Sequence, residues 1–300
     1  MAKLEIIIDG SHLAHRTSYA FRDLQTSSGQ STGLIYGFLK ILSTLNERFK
    51  SRGGDLLIFW DSKPVVKKIL FPEYKAHRNH DNFSDYSAQL EVLKASLQFL
   101  GVGQATVEFE EADDIISSYT HNHKDSQKFI IYSADHDFLQ LVDSRVLVLK
   151  PKMGNNPEIV YTEEKILQEF GVKPKGILFL KIFTGDSSDN IPGVPRLPKK
   201  QVIKILEQVP LDGTQTLDLI FNKLDFFDFL TGNQREKIRT FYDQSFQNFE
   251  LIKLKEHLDV SIKRFDFNLE LLREFFQKME FHNFLRDLDS WIRLFSGGIK

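Results

Sequence analysis

Three short apolar runs, each closing on aspartate, constrain this chain more than any other feature. They are "LEIIID" (Leu4 to Asp9), "DLLIFWD" (Asp55 to Asp61) and "KFIIYSADHD" (Lys128 to Asp137). Continuous β-branched and aromatic runs of this length, separated by helical patterns, predict buried strands of a parallel sheet covered on both faces. The stretch "TGLIYGFLKILSTLNERF" (Thr32 to Phe49) has the spacing of an amphipathic helix. So does "SAQLEVLKASLQFLG" (Ser87 to Gly101), with glycine as its stop signal. A third helix, "YTEEKILQEFG" (Tyr161 to Gly171), is predicted with Thr162 as N-cap and Gly171 as its end. The expected class is α/β.

Three hundred residues suit one large α/β domain or a domain with an appended lobe. With 41% hydrophobic and 27% charged residues the chain can bury a core, which excludes a disordered chain. It has no cysteine, so a disulfide framework and thiolate zinc sites are excluded. The N-terminal apolar run is far below signal-peptide or membrane-span length, so a soluble cytoplasmic protein is expected. The last eighty residues hold fourteen of the 27 phenylalanines, in patterns such as "LELLREFFQKMEFHNFL", and predict helices packing a small second core. The formal charge of −2 is unevenly spread. Basic residues dominate Lys63 to Arg78 and Arg196 to Lys204, enough for a phosphate-binding track in a nearly neutral chain.

Against this, acids gather at the predicted strand ends. Asp9, Asp61, Asp135 and Asp137 lie where an open α/β sheet places its ligands. Asp113 and Asp114 open a helix in "EFEEADDIISSY", and Asp186 and Asp189 fall in the turn "GDSSDN" after the helical "KGILFLKIFTG". Each aspartate alone reads first as a helix cap. As a set, crowded carboxylates repel unless cations are present. Oxygen-only ligation selects hard ions, Mg²⁺ or Mn²⁺, and two such ions suit in-line displacement at a phosphodiester.

The ordered blocks "IIIDGSHLAHR", "FWDSK", "FPEYKAHR", "EEADDIIS", "SADHDFLQLV" and "GDSSDNIPGVP" resemble the motifs of the 5′-nuclease (flap endonuclease) family. The likeness is strongest to the 5′→3′ exonuclease domain of bacterial DNA polymerase I, and it runs on through "LREFFQKMEFHNFL". It implies a PIN-like nuclease domain over residues 1–175, with a mostly parallel sheet flanked by helices and a helical arch at 62–85. It implies a helical DNA-binding region over 176–300, with a degenerate helix-hairpin-helix at 190–208. The implied metal ligands are Asp9, Asp61, Glu111, Asp113, Asp114, Asp135, Asp137, Asp186 and Asp189, holding two Mg²⁺ or Mn²⁺ ions, with the last pair more distant. Glu110 falls outside the motif. Lys75 and Arg78 of "YKAHR" are the implied catalytic cations, suited to stabilise charge on a scissile phosphate. Lys67 and Lys68 read as strand-steering charges, and Arg16, Arg196, Lys199, Lys200 and Lys204 as further DNA contacts.

Two departures from the family stand out. Leu13 and His15 occupy a segment where relatives place tyrosines that stack on DNA. Arg196 and Pro198 stand where relatives carry hairpin glycines, which weakens the case for a K⁺ site there and shifts the expected duplex grip to side-chain charge. The expected activity is hydrolysis at the 5′ end, nick or 5′ flap of DNA in replication and repair. A stand-alone monomer is expected, with no membrane and no small-molecule cofactor. Rival readings are a metal-dependent single-strand RNase, opposed by the long arch and hairpin, and a non-catalytic junction-binding protein, opposed by the intact carboxylate set.

Overall fold

The computed structural model describes residues 3–62, 65–76, 83–123, 127–152, 154 and 156–297. The chain begins with β1 (Lys3–Asp9), α1 (Gly10–Ala20), α2 (Gly33–Lys50), β2 (Asp55–Phe59) and α3 (Val65–Leu70). There follow α4 (Phe83–Phe99), β3 (Gly103–Ala105), α5 (Ala112–Asn122) and β4 (Gln127–Tyr132). After a 3-10 turn, His136–Leu141, come β5 (Val146–Lys150), β6 (Ile159–Tyr161), α6 (Glu163–Phe170), α7 (Pro174–Thr184) and α8 (Lys199–Leu206). Helices α9 (Gly213–Asn222), α10 (Gly232–Thr240), α11 (Tyr242–Ile252), α12 (Leu269–Lys278), α13 (His282–Arg286) and α14 (Leu288–Phe295) complete it. Two compact units form, and both are discontinuous in sequence. One takes Met1–Lys63, His80–Ala134 and Glu256–Lys300; the other takes Pro64–Asn79 and Asp135–Lys255.

The first unit is built on parallel strands in the order β3-β2-β1-β4. Ile6, Ile7 and Ile8 are completely buried in the middle strand, as expected for a strand covered on both faces. Register sets Asp9 opposite Phe59, at the carboxyl edge where ligands bind in such sheets. The turn into α1 is immediate, and Gly10 is what permits it. A Cβ there would lie 2.7 Å from both Ile58 and the Trp60 ring. The predicted strands run past the observed ones: β2 stops at Phe59 and β4 at Tyr132, so Asp61 and Asp135 lie in the following loops.

The phenylalanine-rich end does not form one small second core. Phe241 and Phe249 belong to the second unit, whereas Phe275, Phe276, Phe281 and Phe284 pack in the first. There Tyr36 of α2 stacks on Phe284 at 4.8 Å, and Phe99 meets Phe275 at 6.3 Å. Helical spacing identified a buried face; it carried no information about which distant helix would cover it.

In the second unit β5 and β6 pair antiparallel, and α7 is the central helix, with Ile177, Phe179, Ile182 and Phe183 buried. Helix α6 begins and ends where predicted: Thr162 accepts a bond from the Lys165 amide, and Gly171 adopts φ 77°. Asn248 of α11 donates to the carbonyls of Ile182 (3.0 Å) and Pro192 (2.7 Å), tying the "GDSSDNIPG" loop to the helical core. Gly185 and Gly193 meet backbone to backbone in that loop; a Cβ on Gly193 would lie 2.3 Å from the Thr184 carbonyl carbon.

Candidate active site

In the first unit Asp9 acts as a helix cap, and Glu111, Asp113 and Asp114 draw together. Asp9 caps α1 by accepting from the His12 amide (3.0 Å), and its other oxygen accepts from the Ser133 hydroxyl (3.4 Å). Asp61 accepts from the Ala112 amide at 2.7 Å, at the first turn of α5, where unpaired N–H groups favour an anion. The segment after β2 is pinned to the loop before α5 by two more bonds. Ser62 N–H donates to the Glu110 carbonyl (2.8 Å), and Phe109 N–H donates to the Ser62 hydroxyl (3.2 Å). Ligand oxygens of Glu111, Asp113 and Asp114 lie within 4.8 Å of one another, with Glu111 and Asp114 buried. Carboxylates this close in semi-buried surroundings repel strongly, and an oxygen-only set of this kind suits a hard divalent cation.

Tyr86 is a neighbour that the sequence pattern did not reveal, because α4 starts at Phe83 and not at Ser87. Its phenol is pushed up to about 12 by burial and by the charges of Asp61 and Asp9. Its ring lies 6.3 Å from that of His15, which also meets Tyr19 at 5.0 Å. Leu13 is buried in the core, so of the two departures on α1 only His15 is placed to touch a ligand. Arg16 lies half-buried on the same helix.

The second unit assembles its own cluster, Asp137, Asp186 and Asp189, again within 4.8 Å. Asp135 caps the 3-10 turn by accepting from the Asp137 amide (2.8 Å). Asp137 is pushed up to about 7, by burial first and then by the charge of Asp135, against the pull of Lys181. Lys181, on the last turn of α7, bonds to Asp137 and to Asp186 (2.7 Å). Burial opposes its charge, but Asp137, Asp186 and Asp135 outweigh it and raise its pKa. For Asp186 burial is likewise outweighed by Lys181 and Ser188, which hold the carboxyl below its usual value. Lys181 escaped the sequence reading, though it had a signal. A lone lysine inside the apolar run "ILFLKIF" needs a buried acidic partner.

Lys75 adopts φ 54°, and its amide donates to the Asp189 carbonyl at 3.2 Å. Its ammonium lies 3.8 Å from Asp189 Oδ2 and 4.7 Å from the Tyr74 ring, so the start of "YKAHR" is anchored at the second cluster. Arg78, with His77 and His80, lies outside the described residues, as do parts of the expected arch. Lys67 departs from its expected place: it is 6% exposed, with Nζ 5.9 Å from the Tyr74 ring. A buried ammonium does not suit a steering charge, whereas Lys68 on the same helix is exposed. His136 holds a lowered pKa through burial and the nearby charges of Lys150 and Lys181, and its Nε2 pairs with Lys150 at 3.0 Å.

The basic segment forms a hydrogen-bonded turn. Val194 to Leu197 closes through a Leu197 N–H bond to the Val194 carbonyl (3.2 Å), with Arg196 at φ 59°. The helix that follows is α8, entered from Pro198; within 190–208 it is the helix the structure shows, and the preceding α7 ends at Thr184. Arg196, Lys199, Lys200 and Lys204 are all exposed, the Lys199 ammonium over the Phe170 ring at 5.0 Å.

A parallel α/β unit with an acidic carboxyl edge, and a helical unit with its own acidic cluster and a basic turn, suit metal-dependent chemistry on a phosphodiester. Residues 5–171 match the family model for the 5′-3′ exonuclease N-terminal resolvase-like domain, and residues 172–274 the model for the 5′-3′ exonuclease C-terminal SAM fold. The chain belongs to the 5′-3′ exonuclease family. It is 30% identical to a 5′-3′ exonuclease of Buchnera aphidicola, over 93% of this chain and 95% of that one. It is also 30% identical to the thermostable DNA polymerase I of Thermus aquaticus, over 94% of this chain but only 32% of the polymerase. Among solved structures, a bacteriophage T5 flap endonuclease in a pseudo-enzyme–product complex with DNA and metal ions aligns with TM-score 0.65 and 16% identity. That alignment covers 96% of this chain and 99% of the phage protein. The PIN-like fold inferred from the motifs is therefore present. Among the described residues, no helix is long and apolar enough to cross a membrane.

Proposed function

We propose that this chain hydrolyses phosphodiester bonds of DNA at 5′ ends, nicks or 5′ flaps, with Mg²⁺ or Mn²⁺, in primer and flap removal during replication and repair. The observation that carries the reading is the pair of buried, oxygen-only clusters, one in each unit. Their all-oxygen donor set suits hard divalent ions best. In the first unit Asp9, Asp61, Glu111, Asp113 and Asp114 would hold such ions; in the second, Asp135, Asp137, Asp186 and Asp189 would. Bound there, the ions would supply an activated water and neutralise charge on the phosphodiester.

The chain's own groups have separate tasks. Backbone amides hydrogen-bond to Asp9, Asp61 and Asp135, which favours a preorganised orientation of these acids. Lys75, anchored to Asp189, presents an ammonium to charge developing on a phosphoryl oxygen, with Arg78 as its partner. Arg196, Lys199, Lys200 and Lys204 neutralise duplex phosphates, with Arg16 and Lys68 as further strand contacts. The fold shared with the T5 enzyme, which was solved with DNA and metal ions, supports a DNA substrate and a metal requirement in general.

Incubation with labelled flap DNA and matched RNA, in Mg²⁺ or in EDTA, tests the reading. Mg²⁺-dependent release of short 5′ pieces from DNA is expected. Cleavage of RNA alone would make the chain an RNase, and binding without cleavage of either would make it a junction-binding module.

A further inference from the structure

The cluster in the second unit already contains a cation of its own. Lys181 reaches Asp137 and Asp186 Oδ2 (2.7 Å), while Asp186 Oδ1 accepts from the Ser188 amide (2.8 Å) and hydroxyl (2.5 Å). Asp189 Oδ2 in turn accepts from the Tyr74 hydroxyl at 3.3 Å. The oxygens a divalent ion would bind are thus hydrogen-bonded from within, with Lys181 between Asp137 and Asp186 and the Lys75 ammonium 3.8 Å from Asp189. A divalent ion and an ammonium cannot both sit close to the same carboxylates without strong repulsion.

We propose that Lys181 is a built-in counter-cation for Asp137 and Asp186 of this cluster, as the Lys75 ammonium is placed beside Asp189, and that it holds this pair together without metal and competes with a divalent ion for it. The inference rests on the reading of this cluster as a metal site. A lysine serving only to fasten α7 to its loop would leave metal affinity unchanged or lower it when removed. A competing lysine does the opposite. While Lys181 occupies the cluster, the fraction of protein able to accept an ion is reduced, and apparent affinity falls in proportion.

The test uses the full chain and Mn²⁺ alone, with free ion followed by electron paramagnetic resonance and heat by titration calorimetry. The double variant Asp186→Asn/Asp189→Asn identifies which bound Mn²⁺ belongs to this cluster. Lys181→Met should bind that ion at least about tenfold more tightly than the wild type, while Lys181→Arg, which keeps the charge, stays near it. In EDTA, Lys181→Met should melt at a lower temperature than the wild type, and Mn²⁺ should raise its melting temperature by more. Lys181→Gln supplies the affinity comparison if the methionine variant does not fold. Unchanged or weaker Mn²⁺ binding after loss of the lysine overturns the inference, although loss of that ion in the double variant would preserve the metal reading. If the double variant loses no Mn²⁺, the cluster is not a metal site and the inference goes with it.

Discussion

Burial and the charge of Asp135 raise the carboxyl pKa of Asp137, and the effect on stability has a definite sign. Its folded pKa, about 7, lies above its ordinary value of 3.8, so the folded state holds the proton more tightly than the unfolded chain. The stability from this proton is fully present below about pH 4 and is lost as pH rises through about 7. In metal-free protein, Asp137→Asn should flatten the fall in melting temperature across that window; an equal fall in both proteins would show that the carboxyl is not raised. Asp135→Asn removes a charge while keeping shape, so single-turnover cleavage should drop by orders of magnitude with flap-DNA affinity retained. Full activity at saturating Mg²⁺ would remove Asp135 from the site. Gly10 offers a purely steric test. Ile58 and Trp60 would both lie 2.7 Å from an added methyl group, so Gly10→Ala should destabilise by about 1–3 kcal/mol in urea melts.

At the level of elements, α3 and the basic turn divide basic residues that look alike in sequence. Lys67 is buried against Tyr74 and Lys68 is exposed. Lys67→Ala should therefore lower the melting temperature, whereas Lys68→Ala should leave it and flatten the salt dependence of DNA binding. Lys75→Ala should act differently from both, reducing the single-turnover rate by roughly 10²–10³-fold, as loss of a charge-stabilising donor does. Equal loss of affinity at Lys68 and Lys75 with chemistry intact would reduce "YKAHR" to a DNA clamp. The turn before α8 holds Arg196 at φ 59°, a conformation that costs a non-glycine residue about 1–2 kcal/mol. Arg196→Gly should raise stability yet weaken duplex binding and lessen its salt slope, a pairing that a purely structural arginine would not show. Titrating flap DNA across salt, in K⁺ and in Na⁺, measures both the slope and any surviving preference for K⁺.

For the whole molecule, any ion that binds only the folded state raises its stability by mass action, so Mg²⁺ or Mn²⁺ should raise the melting temperature and chelation should reverse it together with cleavage. No shift with either ion would separate the acidic clusters from metal binding. Much of this protein was determined by sequence alone. Buried runs such as Ile6 to Ile8 impose parallel strands, because continuous apolar strands need cover on both faces. Thr162 and Gly171 bound a helix through local hydrogen bonding and φ, with no need of distant partners. That acids follow the strands was legible too, but which distant group holds each, as Ala112 holds Asp61, was not. Other features depended on contacts between residues far apart in the chain. Only the tertiary structure decided that the phenylalanines of α12 and α13 pack with α2 and α4, that Tyr86 comes close to Asp9 and Asp61, and that Lys67 turns inward. It decided too that Lys181 enters the second acidic cluster. Periodicity reports which face of an element is buried; which distant group covers that face, and which charge answers a buried one, is set by packing and by the need to compensate charge out of water.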